Sequence, residues 1–466
     1  MTTAQWMRYT GIRDVHGPLL MVSGVRGAAW DELVRIELGD GPPRHGLVLD
    51  VDDDVAVVQV FEGTAAVDPA VAAVEFRGSP MEIPVGGNWL GRVCNGRGEP
   101  LDGGPPVTGP HRPIAGAPLN PMWRVPPAEP VLTGVSAIDV LATLVRGQKL
   151  PVFSAPGLPH LRLACQTAAQ ASSGGEPFCV VFAGMGLTHA DAAYAREVLE
   201  ERSAAGELVL LQNLADDPVI ERILTPRMAL TIAEELAFEG GRHVLVVLTD
   251  MTDYADALRE ISSARGELPG RRAYPGYLYS DLATLYERCG RIRDRPGSVT
   301  ILPVLTMPGG DITHPVPDLT GYITEGQLVL SPEVAAHGAY PPMDVLSSLS
   351  RLMRAGAGPG RTRADHLPLA AQLLAALARA RQARELAELI GTDGLTDLDR
   401  AHLAVDEAFR DTVLDQRTDE IRTLDESLDR AWRALDPLPA HALTMLPAEL
   451  VAAHRPAPAV ETDDRA

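Results

Sequence analysis

The sequence predicts a multidomain α/β protein: a small N-terminal β-barrel, a central doubly wound α/β domain and a C-terminal α-helical bundle. Three observations carry this. Short runs rich in β-branched residues fill the first 74 positions. Continuous apolar runs alternate with helical segments from Thr133 to about Pro332. Beyond about residue 360 the apolar residues recur at helical spacing.

In the first segment, 1–74, the runs Gly11–Val22, Leu33–Leu38 and Val55–Phe61 are punctuated by Gly39-Asp-Gly-Pro-Pro and Asp52-Asp-Asp54. Strands this short expose many edges unless the sheet closes, hence a barrel. Residues 75–130, rich in Gly and Pro, read as a loop segment wrapping the domain that follows, the two making up 75–355. Strands are expected there at 149–154, 178–183, 207–212, 243–248, 299–305 and 326–330, apolar throughout as in a parallel sheet buried on both faces. Thr188-His-Ala-Asp191 has the pattern of a capping box. Asp217-Pro218 reads as an N-cap with proline at the first helical position. Pro226 is expected to kink or break that helix, and Gly240-Gly241 to end it. In the third segment, 356–452, helices are expected over Asp365–Leu389 and Asp397–Leu435, with a turn at Gly391-Thr-Asp-Gly394. The acidic Pro/Ala-rich residues 453–466 read as a disordered tail.

A net charge of −21 and an isoelectric point near 5.0 exclude a nucleic-acid footprint. Of 41 basic residues only Lys149 is lysine, a bias that, with the abundant alanine, fits genomic base composition. Cys94, Cys165, Cys179 and Cys289 show no paired spacing, as expected of a reduced intracellular protein rather than a disulfide scaffold or zinc site. No signal peptide is expected, and no apolar run approaches the ~18 residues that span a bilayer, so a membrane role must come through partners.

Chemistry concentrates where Lys149-Leu-Pro-Val-Phe-Ser-Ala-Pro-Gly-Leu-Pro-His160-Leu reads as strand, turn and helix start. That is the setting of a phosphate-binding P-loop, in which backbone N–H groups and a helix N-terminus cradle an anion. A working loop also needs Gly-Lys-[Ser/Thr], for phosphate charge and Mg²⁺. Here Gly157 is followed by Pro159, His160 and Leu161, and the lysine precedes the strand. The loop is therefore degenerate. Arg242-His-Val-Leu-Val-Val-Leu-Thr-Asp250 resembles a Walker-B strand, whose Asp would orient Mg²⁺; without the lysine and with no hydroxyl at Leu161, the preferred reading is that Asp250 hydrogen-bonds the following turn. Arg351, at the boundary before the helical segment, can serve as a trans-acting arginine finger or as an interdomain salt bridge. The Pro269–Tyr279 loop suits a ligand- or partner-facing surface or a plain structural loop. In His314-Pro-Val-Pro-Asp318 a structural role is preferred to metal binding.

These stretches, with Thr133-Gly-Val-Ser-Ala-Ile-Asp, Leu144-Val-Arg-Gly-Gln-Lys-Leu-Pro, Glu221-Arg-Ile-Leu-Thr-Pro-Arg-Met, Pro275-Gly-Tyr, Asp318-Leu-Thr-Gly-Tyr-Ile-Thr-Glu-Gly-Gln and Ser348-Leu-Ser-Arg-Leu-Met, resemble the B subunits of V-type and archaeal A-type rotary ATPases. The resemblance runs from about Tyr9 to about Leu435. It implies a RecA-like central domain and a non-catalytic regulatory subunit. Three such subunits alternate with three catalytic A subunits in a head ring, with central rotor and peripheral stalks as further partners. It implies no nucleotide of the chain's own, and ATP or ADP with Mg at the shared interface. Arg351 becomes the arginine finger there, with Ser348, Ser350 and Tyr322 as further interface candidates. The expected place is the cytoplasmic side of the membrane, peripheral and attached only through the complex, coupling ATP synthesis or hydrolysis to proton or sodium transport. Ala155-Pro156 and Arg162-Leu163 depart from the family pattern and further disfavour nucleotide binding by this loop. The rival readings are a self-sufficient NTPase of the same fold, which the missing lysine opposes, and a scaffold that binds other proteins.

Overall fold

The computed structural model describes residues 7–29 and 32–455. Most of the expected tail, 456–466, lies outside these residues.

The N-terminal segment forms a seven-stranded antiparallel sheet from β1 (Met7–Tyr9), β2 (Ile12–His16), β3 (Leu19–Ser23), β4 (Glu32–Glu37), β5 (Arg44–Asp52), β6 (Val55–Val60) and β7 (Ala73–Pro80). Its order is β1-β7-β4-β5-β6-β3-β2. In β4 the buried positions alternate with half-buried ones, so Val34 and Ile36 point to one side. They meet Leu20, Val48, Val58 and Phe76 in an apolar core. Strands β5 and β7 supply pairing partners that the turn signals alone did not mark.

Of the strands that follow, those used here are, in chain order, β8 (Val93–Asn95), β9 (Val152–Ser154), β10 (Phe178–Leu187), β11 (Leu208–Leu214), β12 (His243–Thr249), β13 (Ser298–Thr306), β14 (Gly326–Leu330) and β15 (Leu349–Ser350). The helices that matter here are α1 (Ser136–Leu141), α2 (His160–Gln170), α3 (His189–Ala204), α4 (Val219–Glu234), α5 (Met251–Ala264), α6 (Leu278–Tyr286) and α7 (Pro315–Ile323). They are followed by α8 (His366–Ile390), α9 (Asp397–Phe409), α10 (Leu424–Ala434) and α11 (Ala448–His454).

The chain divides into two compact units. The first takes in the chain to Met122 with Cys179–Arg288 and Asp294–Gly297. Beside the N-terminal sheet it holds strands in the order β12-β10-β11-β8. β10 pairs with β11, and β11 with β8, in parallel. β12 is buried at every position, which explains its uninterrupted apolar sequence.

Its polar centre is Arg288, fully buried at 0 % exposure. Nε and Nη2 each donate to the Glu234 carboxylate at 2.7 Å. Nη2 also donates to the Thr231 hydroxyl at 2.8 Å, and Nη1 to the carbonyls of Ile114 and Arg227 at 3.0 and 3.3 Å. All five guanidinium hydrogens are thus used, the condition under which a buried arginine is tolerable. A β-carbon at Gly116 would lie 2.2 Å from the Arg288 guanidinium carbon, so only glycine fits this close approach.

The second unit comprises Trp123–Phe178, Cys289–Arg293 and the chain from Ser298. Here β9 lies between β13 and β14, parallel to both, and β15 pairs antiparallel with β14. The helices α8 to α11 build its C-terminal part. His366 fastens α8 to α1: Nε2 donates to the Val140 carbonyl and Nδ1 accepts from the Thr362 hydroxyl, both at 3.0 Å. The Trp432 indole donates to Asp365 at 2.7 Å and stacks on His454 with centroids 4.4 Å apart. Helix α11 therefore continues two residues into the stretch assigned to the tail.

Three local expectations need correction. Pro218 is itself the N-cap of α4, and the Asp217 carboxylate accepts from the Leu214 N–H at 2.7 Å instead. α4 runs unbroken through Pro226, ending in a wide turn at Glu235–Glu239 before Gly240. Burial of Ile223, Leu224, Met228, Leu230 and Ile232 outweighs the roughly 3 kcal/mol proline cost. The single helix expected to Leu435 is two helices. A capping box of Thr423 and Glu426 starts α10 anew, and Arg422 holds the intervening loop by donating to the carbonyls of Val413 at 3.0 Å and Asp415 at 2.5 Å.

Removing the hub of the first unit tests its weight. Arg288→Ala leaves the half-buried Glu234 carboxylate and the buried Thr231 hydroxyl without their donor and should cost about 3–5 kcal/mol in urea unfolding. A loss under about 1 kcal/mol would mean that water replaces the guanidinium there.

Candidate functional site

The degenerate P-loop joins β9 to α2 in the second unit. Gly157 sits at φ +81°, exposed, with nothing within 4 Å of a β-carbon placed there. At the helix end the loop closes on itself. The His160 N–H donates to the Leu158 carbonyl at 2.8 Å, and the His160 ring Nδ1 lies 3.0 Å from the same oxygen. Pro159, the N-cap, offers no N–H and no capping side chain. Leu161 occupies the place of the metal-binding hydroxyl. A carbonyl and a proline thus stand where a phosphate cradle needs donors, and Mg-nucleotide does not fit this chain's own loop.

The lysine that a P-loop would use is engaged elsewhere. Lys149, 3 % exposed, places Nζ 2.7 Å from Glu325 Oε1. Its own N–H donates to Oε2 of the same carboxylate at 2.8 Å, and its carbonyl accepts the Glu325 N–H at 3.0 Å. Beside it, Gln148 Nε2 donates to the Glu325 carbonyl at 3.0 Å and to the Ser350 hydroxyl at 2.9 Å.

This same junction carries Arg351. The Arg351 N–H donates to the Glu325 carbonyl at 3.0 Å, and guanidinium Nη1 donates to the Thr324 carbonyl at 3.3 Å. Arg351 is exposed, and among the described residues no carboxylate pairs with it. The β14–β15 register places Ser350 opposite Gly326, whose β-carbon would lie 2.3 Å from the Leu349 carbonyl. Glycine is what permits that close crossing. The result is a cation held by its backbone with its head group facing solvent. Tyr322, 76 % exposed, lies in the last turn of α7, two residues before Thr324. The structure therefore brings Arg351, Ser350 and Tyr322 to one edge. Ser348 differs: its hydroxyl is buried, donating to the Asp344 carbonyl at 2.7 Å and accepting the Val329 N–H at 2.9 Å.

Asp250 lies in the first unit, at the end of β12. Its carboxylate caps α5 by accepting the Thr252 N–H at 2.7 Å. Three residues on, burial and the nearby Asp250 and Asp256 push the Asp253 carboxyl up to about 7, against the pull of Arg222. In the Pro269–Tyr279 loop, the Tyr274 hydroxyl donates to Asp256 at 2.7 Å while Leu268 is 92 % exposed. His314 is the N-cap of α7, and Pro315 and Pro317 fill its first turn rather than a loop. Among the described residues no cluster of three or more His, Cys, Asp or Glu side chains is arranged for a metal ion. All four cysteines are buried and none is joined in a disulfide.

Gln148, Thr324 and Glu325 were not singled out from the sequence. The single lysine in an arginine-rich chain was the one available signal, and nothing local told where its partner lay.

The raised Asp253 carboxyl makes stability depend on pH. In the unfolded chain it ionises near 3.8, so folding is increasingly penalised as pH rises from about 4 to about 7, and the penalty then levels off. Asp253→Asn should therefore raise the urea midpoint more at pH 8 than at pH 5. An equal shift at both would refute the burial of an ionisable group.

Comparison with known proteins fits this arrangement. A family model described as the ATP synthase alpha/beta family beta-barrel domain matches residues 12–78. The nucleotide-binding domain of the same family matches 134–350, and the C-terminal domain of V and A type ATP synthase matches 355–455. The B subunit of the A-type ATP synthase of Aeropyrum pernix is 51 % identical over 451 residues, 96 % of this chain and 97 % of that protein. Among solved structures, a unique ATP synthase subunit, NeqB, from Nanoarcheaum equitans aligns with a TM-score of 0.72 at 37 % identity, over 87 % of this chain and all of that one. The barrel, the nucleotide-binding-type α/β domain and the helical C-terminal domain are accordingly those of this group, and the chain belongs to the ATP synthase alpha/beta family, with the A-type B subunits of its V/A-type branch.

Proposed function

We propose that the chain is the non-catalytic B subunit of an A/V-type rotary ATP synthase. Three copies alternate with three catalytic A subunits, and each copy completes an ATP site that the neighbour's P-loop holds. The observation that carries this is the exposed guanidinium of Arg351, free of any carboxylate among the described residues and fixed through the Thr324 and Glu325 carbonyls. A planar cation in that state suits the spread negative charge of a transferring phosphoryl group, to which it donates from outside the phosphate-holding subunit. Ser350 and Tyr322 flank it as contacts for the bound ATP or ADP and its Mg, while Ser348 serves the fold.

The reading of the chain as non-catalytic rests on the other half of the geometry. Its loop turns a carbonyl and a proline toward the helix end, and its only lysine is paired with Glu325. The chain then has no nucleotide of its own and acts through the A subunit, with the central and peripheral stalks completing the assembly. In that assembly it lies peripherally on the cytoplasmic side of the membrane and takes part in coupling ATP synthesis or hydrolysis to proton or sodium transport. No helix among the described residues is long and apolar enough to cross a membrane. We assign the chain through β7 to the barrel, the stretch from there to 355 to the nucleotide-binding-type domain and 356–455 to the helical domain; the boundaries at 74 and 452 expected from the sequence fall inside β7 and α11.

The purified chain should show no ATPase activity alone and should support turnover when mixed with its A subunit. In the assembled ring, Arg351→Ala should lower turnover by about 10³-fold or more, as loss of a trans arginine finger does. Near-normal turnover of an assembled mutant ring would exclude the finger. Turnover by the wild-type chain alone would exclude the non-catalytic reading.

A further inference from the structure

The Lys149–Glu325 pair sits in direct backbone contact with Arg351, and its arrangement has a direct bearing on whether that guanidinium is free. Glu325 is one of the two residues that touch the finger: its carbonyl holds the Arg351 N–H, and the preceding Thr324 carbonyl holds the guanidinium. Its carboxylate is only partly buried, and is therefore the natural intramolecular competitor for Arg351. Arginine and carboxylate form charge-assisted, frequently bidentate pairs, and such a pair would cover the donors meant for a phosphoryl group. Lys149 prevents this by occupying both carboxylate oxygens at once, Nζ on Oε1 at 2.7 Å and the backbone N–H on Oε2 at 2.8 Å. The Lys149 ammonium is itself buried, so little solvent weakens its hold. Its backbone is anchored in turn: the neighbouring Gln148 carbonyl accepts the Ile301 N–H at 2.9 Å, and Leu150 donates to the Ile301 carbonyl at 3.0 Å.

We infer that Lys149 is a positioning residue for Arg351, holding the Glu325 carboxylate away from the guanidinium so that the finger stays unpaired. The inference rests on the finger reading of Arg351 and adds to it a condition that the site must meet. It also gives the chain's one lysine a task unrelated to the phosphate grip whose lysine it lacks.

The test uses the ring assembled with the A subunit and reads kcat and KM for ATP. Lys149→Met releases Glu325, and kcat should fall about 10-fold to 100-fold, the range for a catalytic group displaced by about an ångström. KM should move less than about threefold, because the finger acts on transition-state charge. Glu325→Gln removes the competing charge, keeps the backbone carbonyl that holds the Arg351 N–H, and gives the reference kcat against which the double variant is read. The double variant Lys149→Met/Glu325→Gln should regain the activity of Glu325→Gln. A generally damaged scaffold would show no such rescue. A double variant as slow as Lys149→Met, or a Lys149→Met ring with normal kcat, overturns the inference. Should Lys149→Met fail to assemble, Glu325→Gln decides: a loss beyond about tenfold would mean that the carboxylate itself supports the site. Arg351→Ala run in parallel separates the two readings. If it stays active, the finger falls; if it is inactive while Lys149→Met is normal, only the role of Lys149 falls.

Discussion

Two consecutive residues, Gln148 and Lys149, hold the functional edge of the second unit together. The Gln148 amide accepts the Val145 N–H at 2.9 Å while donating to Glu325 and Ser350, and its carbonyl joins the chain to β13. Lys149 adds the ion pair to Glu325. Four stretches far apart in sequence are thereby fixed before β9 begins. Among the described residues Arg351 has no ion pair, so its position derives from this network: it is placed by main-chain contacts to residues that Gln148 and Lys149 have already immobilised. Catalytic groups supplied in trans need this kind of support, because the pocket they enter belongs to another chain.

How much of this could be read in advance depended on how local the cause was. β12 and β13 were legible because strands buried on both faces must be apolar without interruption, and their observed bounds differ from expectation by a residue or so. The degenerate loop was legible because three side chains at fixed spacing determine whether phosphate and Mg²⁺ can be held. Arg351 was not legible from pattern: an exposed arginine has no periodicity, and only resemblance to a family singled it out. Gln148 and Glu325 escaped because the partners of their side chains lie some 175 to 200 positions away, and Thr324 because it acts through its backbone carbonyl, which no side-chain pattern marks. The errors followed the same logic. Pro226 was read by a propensity that burial overrode, and the start of α10 was missed although Thr423-Leu-Asp-Glu426 spells its capping box.

Arginine does most of the internal polar work. Arg288 satisfies acceptors from two stretches of chain, Ile114 and helix α4, and Arg422 pins the loop between α9 and α10 through the carbonyls of Val413 and Asp415. A planar fork with five donors is suited to such hubs, since every hydrogen can be matched and no buried donor is left over. A bias toward arginine, whatever its origin, is thus compatible with a large buried polar network. The one place with a lysine is one where a compact, single-point cation is paired with a single carboxylate.

That buried lysine also fixes how the surface responds to reagents. The described surface carries no lysine side chain, and all four cysteines are enclosed. Acylating and thiol-directed probes therefore meet a protein whose own side chains are shielded from them while it is folded. A cysteine placed at any exposed position becomes a unique attachment point, and a dye or crosslinker can be put on one face of the subunit without first engineering the rest away.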